Sequence, residues 1–308
     1  MAHPDHAEPV LASISMGDLP EVPGSDESRT LKQGRRRNLA HLGWSVWLGS
    51  GLVAVFVIAA IAAPLIAPND PTALHPARAL QGPSLEFPLG TDNLGRCIVS
   101  RILYGARVSL GIAMVAAVLI MTIGVTLGAM SGYYAGTVDA ILMRIVDVLL
   151  AFPSLVVALA IAGMLGPGIV NAMIGLVGVW WVSYARIVRG LVLSVRERPY
   201  VEAARTIGAT NNRILWRHVV PNVVAPVIVL ATLEMGQLIL AIAGLSFLGL
   251  GAQPPTPEWG TMLNEGRPFL QFAPQIMIYP GLAISLIVLG FNLLGDGLRD
   301  MLDPRLRI

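Results

Sequence analysis

Residues 196–226 read RERPYVEAARTIGATNNRILWRHVVPNVVAP, a polar stretch between two long apolar segments. Each flanking segment has the roughly 20 mostly apolar residues that a helix needs to cross a bilayer. The stretch contains five arginines, and arginine in a short loop between spans indicates the cytosolic side. Residues 196–226 therefore predict a membrane protein that presents a basic, partly helical loop to the cytosol.

The composition is that of an integral membrane protein. Of the 308 residues 55% are hydrophobic and 13% are charged, whereas soluble domains carry about 25% charged residues. Lys32 is the one lysine and no Gly-Lys pair exists, which excludes a P-loop ATPase within this chain. The single Cys97 and the scattered histidines match no disulfide framework and no zinc spacing. We therefore expect no metal, no cofactor and no nucleic acid bound by this chain.

The first 40 residues differ from the rest of the chain. Residues 1–40 are rich in Pro, Asp, Glu and Ser, have no apolar period, and contain a basic cluster at 32–37. This composition predicts a disordered cytosolic tail. A signal peptide is the alternative, but the apolar run after His41 is longer than the usual 7–15 residues or so of such a peptide. We interpret that run as a retained transmembrane helix.

Six apolar runs are long enough to span a bilayer. They fall at about 44–66, 107–131, 140–163, 169–190, 222–250 and 276–295. Basic residues precede the first run, occupy 196–226 and follow the last, and six spans with both termini inside put all three on the cytosolic side. The predicted fold class is all-α, polytopic, with about six transmembrane helices. The predicted domains are the tail at 1–40, the first helix with an external loop at 41–106, and the core at 107–308.

The segment before the second span mixes polar and apolar residues at helical spacing. Arg101, Tyr104, Arg107 and Leu110 are examples. This pattern predicts a helix lying at the outer membrane interface. An irregular loop is the alternative.

The loop at 196–221 has features of a helix that contacts a cytosolic partner. Alanines at 203 and 204 favour helix and allow close approach, and Glu202 places a negative charge early in that helix. Gly208 can take backbone angles that end a helix, and Pro221 suits the first turn of the next one. An ordinary basic cytosolic loop is the alternative. The spacing resembles the EAA loop of ABC importer permeases, EAA-x3-G-x9-I-x-L-P, with His218 and Val220 in place of isoleucine and leucine.

Four further strings narrow the resemblance. They are FPLGTDNLGRCIVSRILYGARVSL at 87–110, DVLLAFPSL at 147–155, LSFLGLGAQPPTPEWGTML at 245–263 and FNLLGDGLRDMLDPRLR at 291–307. They are similar to the C-type permease of dipeptide, oligopeptide and nickel ABC importers, from the first span to the C-terminus. Cys97 stands where that family commonly has aspartate.

This resemblance implies a type I importer (MetI-like) transmembrane domain in the bacterial inner membrane. It implies a homologous B-type permease as partner, two cytosolic ABC ATPases that bind ATP and Mg, and an extracytoplasmic binding protein that docks near 254–260. The chain itself would perform no covalent chemistry. ATPase coupling would fall to Arg198, Tyr200, Glu202, Ala203, Ala204, Arg205, Gly208 and Pro221. Short peptides are the expected substrate, with nickel or another small solute as the alternative, and a self-sufficient secondary transporter or channel as the rival class.

Some residues within the spans invite separate hypotheses. Four glycines recur every fourth residue and make one helix face smooth, for packing within the chain or against a partner permease. These are Gly124, Gly128, Gly132 and Gly136. Glu234 lies thirteen residues beyond Pro221, about 20 Å along a helix, so with Gln237 it is a candidate for the translocation pathway. The alternatives are that Glu234 bonds to Gln237 or is protonated against another helix.

Overall fold

The structure, a computed structural model, describes residues 25–302, with side chains described from residue 44 to residue 301. Helices dominate this range. The α-helices are α1 (Ser25–Ile66), α2 (Ile98–Tyr134), α3 (Gly136–Leu150), α4 (Ser154–Leu165), α5 (Ile169–Val195), α6 (Pro199–Thr206), α7 (Asn211–Ile214), α8 (Val220–Phe247), α9 (Trp259–Gly266) and α10 (Gln275–Leu302). A π-helical turn, Leu215–Val219, joins α7 to α8, so these elements run as one helical stretch.

Five of these helical stretches are long and apolar enough to cross a membrane. They are Trp44–Ile66, Ile98–Tyr134, Ile169–Val195, Asn211–Phe247 and Gln275–Met301. A sixth span results if α3 and α4 are counted together. These helices confirm the predicted all-α class with about six spans.

The third predicted span, 140–163, is wrong as a single straight helix. Helices α3 and α4 meet at an angle of 88° across residues 151–153. Pro153 explains the break, because the ring disfavours helical angles in the preceding residue and Pro has no N–H to continue the helix. The apolar run alone did not reveal this bend.

The predicted interface helix before the second span is also wrong. Residues 98–110 form the first turns of α2, which continues without interruption to Tyr134. Ile98, Arg101 and Ala106 are buried there. Of the polar residues that suggested an interfacial helix, Arg101 is instead buried inside the protein, whereas Arg107 is exposed.

Helix α1 begins at Ser25, inside the segment for which the sequence predicted disorder. Residues 25–40 are thus helical, which corrects that part of the tail prediction, whereas residues 1–24 lie outside the described range. Residues 25–40 contain Leu, Lys, Gln, Arg and Ala and no proline, and these residue types have high helix propensity.

The core lies where α2, α5 and α8 meet, with α4 and α10 packed against it. Its buried side chains are mainly small or branched. A Cβ added at Gly128 would lie 2.5 Å from the Ala185 carbonyl oxygen, and one at Gly132 would lie 2.8 Å from that of Arg189. Gly124 similarly contacts Tyr184, so these three glycines pack against α5 of the same chain. Gly136 does not belong to the strip: it begins α3 with a φ of +57°.

Candidate functional site

The predicted coupling segment, residues 196–221, contains helix α6. Pro199 occupies its first turn, where a missing N–H costs nothing. Val201 and Ala204 are buried, while Glu202 and Ala203 are exposed. The helix therefore rests on the protein through one face and presents the acidic, small-residue face to solvent.

The chain turns sharply after α6. Gly208 has a φ of +79°, a left-handed angle that favours glycine. Ile207, immediately before it, is 85% exposed. A groove of about 660 Å³ lies between α6 and the following helical turns. It is lined by Tyr200, Ala203, Ala204, Ile207, Gly208, Ala209, Arg213, Arg217 and His218.

The C-terminal end of α2 holds the predicted coupling segment in place. Arg196 Nη1 donates to the Gly132 carbonyl oxygen over 3.0 Å. The Tyr133 hydroxyl lies 3.1 Å from Asn211 Oδ1, and the Arg205 guanidinium lies 5.8 Å from the centre of the Tyr133 ring. Residues 196–211 are thus fastened at three points to one turn of α2.

Other predicted coupling residues lie around this helix. Arg198 immediately precedes α6 in an extended conformation and is exposed. The Tyr200 hydroxyl is 3.4 Å from the His218 carbonyl oxygen, which joins α6 to the π-helical turn. Pro221 lies in the first turn of α8. The structure thus brings the eight predicted residues into one contiguous segment.

Two ion pairs connect α3 to α5 beside this segment. Arg189 meets both Asp139 carboxylate oxygens, with Nε 2.5 Å from Oδ1 and Nη2 2.6 Å from Oδ2. Arg186 pairs with Asp147. These are contacts between different helices, which cannot be assigned from residue spacing along the chain.

At the opposite end of α2 lies a cluster of four charges, Asp92, Arg96, Arg101 and Glu265, which we call the outer ion network; the first three are buried and Glu265 is partly buried. Asp92 Oδ2 lies 2.6 Å from Arg96 Nε and 2.5 Å from Arg101 Nη1. Glu265 Oε2 lies 3.0 Å from Arg96 and 2.7 Å from Arg101. Two cations and two anions balance, so their burial leaves no net charge.

The outer ion network joins three separate parts of the chain. Asp92 and Arg96 belong to residues 67–97, the outer segment between α1 and α2, whereas Glu265 belongs to α9. Beside it, the Glu258 carboxylate accepts from the Thr261 N–H over 2.9 Å and from the Ser109 hydroxyl over 3.0 Å. The outer segment, α2 and α9 therefore form one cross-linked platform.

This platform was not predicted from the sequence. The string at 87–110 indicated no role for Asp92 or Arg96, and Arg101 was predicted only as part of an interfacial helix. The spacing of Asp92 and Arg96 was visible, but Glu265 is 169 residues from Arg96 and no local pattern links them. Helix α9, inside a segment predicted only as external, was missed for the same reason.

The two pathway candidates differ in their surroundings. Glu234 is partly buried and interacts with the Tyr184 hydroxyl of α5. Gln237 is exposed and lines a groove of about 590 Å³ between α4, α5 and α8. The indole nitrogen of Trp180, in the same groove, is buried without a hydrogen-bond partner among the described residues.

Comparison with known proteins agrees with this architecture. A chain of the MetNI methionine ABC transporter, in inward-facing conformations, superposes with a TM-score of 0.53 at 17% identity, covering 65% of this chain and 95% of that chain. The dipeptide transport system permease protein DppC of Alkalihalophilus pseudofirmus is 42% identical over 306 residues, 98% of this chain and 99% of the relative.

Glutathione transport system permease proteins GsiD are also similar. The protein of Pectobacterium atrosepticum is 48% identical over 230 residues, which cover 75% of this chain and 76% of the relative. That of Escherichia coli is 45% identical over 274 residues, 89% of each chain. Fold and relatives together define the class: a multi-pass permease of the bacterial inner membrane. Residues 124–308 match the binding-protein-dependent transport system inner membrane component family, and the chain belongs to it.

Proposed function

We propose that this chain is the permease subunit of an ATP-driven importer and forms half of the translocation pathway for short peptides. The observation that carries the proposal is 42% identity, over 98% of the chain, to a permease named for dipeptide transport. Permeases named for glutathione, itself a tripeptide, are similarly close. Nickel or another small solute remains the alternative substrate. The rival class, a self-sufficient secondary transporter or channel, would transport without any ATPase.

The proposed motor contact is the exposed face of α6. Glu202 and Ala203 point away from the protein, so a cytosolic ATPase can approach the small alanine closely and pair with the carboxylate. The bonds of Arg196 and Asn211 to the end of α2 would carry the motion of α6 into the membrane. Two ABC ATPases would bind the ATP and Mg, and this chain would bind no cofactor.

A homologous B-type permease and an extracytoplasmic binding protein complete the proposed complex. The outer segment and residues 254–260 would receive the binding protein. A rigid docking surface suits that role, because a platform held by buried charges does not have to be ordered again at each encounter. Substrate would pass between the two permeases.

For the pathway we favour Gln237 over Glu234. Gln237 is exposed beside the apolar groove of α4, α5 and α8, whereas Glu234 is partly buried and has Tyr184 as a partner within the chain. Replacing each residue in turn tests this preference. Gln237→Leu should change substrate-stimulated ATPase activity, while Glu234→Gln should leave transport intact; the reverse pattern would assign the pathway to Glu234.

Co-purification followed by reconstitution tests the function itself. The intact complex should contain this chain, a second permease and two ATPase subunits. With the binding protein present, its ATPase activity should rise with dipeptides or oligopeptides and stay unchanged with nickel. Stimulation by nickel alone would replace the peptide proposal, and uptake by this chain alone in vesicles would overturn the importer proposal.

A matched pair of variants tests the coupling face. Ala203→Leu enlarges the exposed face of α6, and Glu202→Gln removes its charge. Because a hydrogen bond to a charged group contributes about 1.5–3 kcal/mol, Glu202→Gln should weaken ATPase binding by roughly tenfold or more. Ala203→Leu should weaken it as well, because the larger side chain blocks close approach. Glu197→Gln is the control, since Glu197 is exposed but precedes α6. If all three variants bind the ATPase as tightly as the unmodified chain does, α6 is excluded as the contact.

A further inference from the structure

A third groove lies between the first two membrane helices, α1 and α2. It has a volume of about 310 Å³. Its lining residues are Val57, Ala60, Ile61, Arg107, Leu110, Gly111 and Met114. The wall formed by α1 is therefore aliphatic, and the groove contains one positively charged side chain, that of Arg107.

The Arg107 side chain makes no ion pair and no hydrogen bond with any group of the described residues 44–301. The other two arginines near the start of α2, Arg96 and Arg101, are both held in the outer ion network. An arginine beside apolar helix surfaces is stabilised only when an anion or water reaches its guanidinium. Arg107 is thus a charge that the protein itself leaves unneutralised.

The groove extends toward the membrane surface. A neighbouring groove of about 560 Å³ is lined by Pro64 of α1 and by Tyr104 and Val108 of α2. Pro64 is one helical turn beyond Ile61, and Tyr104 is one turn before Arg107, so the two grooves adjoin along the same helix pair. Together they run from an aliphatic section, past a cation, to a polar mouth with Asp70.

The aliphatic section, the cation and the polar mouth follow the same order as the acyl chain, phosphate and headgroup of a phospholipid. We propose that the groove binds one phospholipid. An acyl chain would lie between α1 and α2, the phosphate would pair with Arg107, and the headgroup would lie at the mouth. The guanidinium matches phosphate geometry through two parallel hydrogen bonds. In the predicted orientation the lipid belongs to the outer leaflet.

The surroundings favour lipid over a second protein subunit. The Trp44–Ile66 span is only 17% buried, less than any of the other four long spans. Val55, Ile58 and Leu65 are large aliphatic residues exposed along it. Exposed large aliphatic side chains suit acyl chains, whereas helix contacts in membranes favour small residues. A peripheral helix with this surface is therefore expected to face lipid.

Gly111 offers a way to close the groove without disturbing the fold. A Cβ built at Gly111 meets no atom within 4 Å, and the residue is exposed in the groove. Gly111→Phe should therefore fill the acyl-chain section. Gly163 of α4 likewise meets no atom within 4 Å, so Gly163→Phe is the matched control. Arg144→Gln, which removes an exposed arginine of α3, is the control for Arg107→Gln.

Native mass spectrometry of the full chain in detergent, titrated with dioleoyl phosphatidylethanolamine, tests the proposal. This lipid is chosen because Asp70 at the mouth would repel a headgroup with further negative charge. Since a charge-assisted pair to phosphate is lost, Arg107→Gln should raise the Kd of one tightly bound lipid by about tenfold. Gly111→Phe should raise it similarly, Arg107→Lys by less, and the two controls should match the unmodified chain.

Four results would overturn the proposal. One is that Arg107→Gln and Gly111→Phe bind the lipid as the unmodified chain does. Another is competition by millimolar inorganic phosphate, which would identify a free-phosphate site. A third is crosslinking of a photoreactive residue at position 111 to another protein subunit in intact membranes. If Arg107→Gln does not purify, failure of a photoreactive phosphatidylethanolamine to label 107–114 in the unmodified chain would count equally against lipid binding.

Discussion

Removing Asp92 from the outer ion network should destabilise the protein strongly. The Asp92 carboxylate contacts two buried arginines, at 2.6 Å and 2.5 Å. It also accepts from the backbone N–H groups of Leu94 and Arg96, at 2.9 Å each. Asp92→Asn keeps the shape but removes the charge, so Glu265 alone faces two buried cations.

The expected loss follows from that imbalance. Breaking a buried pair costs about 3–5 kcal/mol, because an uncompensated charge stays buried. For a domain of about 200 residues each kcal/mol lowers the Tm by roughly 2–4 °C. Asp92→Asn should therefore lower the Tm by roughly 10 °C. Glu86→Gln is the control in the same outer segment, since Glu86 pairs with the exposed Arg78 and such a pair contributes at most about 1 kcal/mol.

The assay is thermal unfolding of the purified protein, followed by tryptophan fluorescence, with a double-mutant cycle. Adding Arg96→Gln to Asp92→Asn restores the balance of charges. The double variant should therefore be more stable than the sum of the two single losses predicts. Our reasoning fails if Asp92→Asn and Glu86→Gln melt at the same temperature, or if the losses of Asp92 and Arg96 are simply additive.

Three further changes have defined outcomes. Gly128→Ala should cost about 1–3 kcal/mol through overpacking against α5. Gly190→Ala on α5 itself, which meets no atom within 4 Å, should instead raise the Tm slightly because alanine is the better helix former; equal effects would contradict the close packing. Trp259→Phe should cost about 1 kcal/mol because it loses the indole N–H bond to a carbonyl of α2, and Trp259→Ala about 3–5 kcal/mol because the ring is fully buried, both read by thermal unfolding. Asp139→Asn should cost about 1 kcal/mol by weakening the partly exposed pair with Arg189, and an unchanged Tm would show that this pair contributes nothing.

The spans were predictable because their signal is local. About 20 apolar residues satisfy the bilayer wherever they occur in a chain, and the run at 44–66 matches the structure. The bend at Pro153 was not predicted, although the proline was visible, because length and hydropathy do not distinguish one straight helix from two bent ones. Only packing decides which of these a run adopts.

The coupling segment was predictable for a similar reason. Pro199, the two alanines and Gly208 each restrict the backbone locally, and α6 lies where they indicate. The contacts of Arg196 and Asn211 with α2 hold this segment in place. Each contact joins residues that are far apart in the sequence, separated by 64 and 78 positions respectively. Such pairs follow from the fold and cannot be read from spacing.

The ion-pair partners of the charged residues were harder still to predict. Arg144 and Asp147 stand three residues apart in the sequence, a spacing that predicts pairing between them on one helix. In the structure Asp147 instead pairs with Arg186 of α5, which corrects that expectation. A residue on a packed neighbouring helix can approach a carboxylate more directly than one on the same helix, and its identity depends on tertiary structure.

Helix α2 reaches from the outer ion network to the coupling segment as one piece. Its 37 residues contain no proline, and at 1.5 Å per residue they measure about 55 Å. We expect an uninterrupted helix of this length to tilt or slide as a whole, so a displacement of Tyr133 should also displace Arg101. Two spin labels near the ends of α2 should keep a constant separation throughout a transport cycle. The distance from either label to a label on α10 should change when α2 moves.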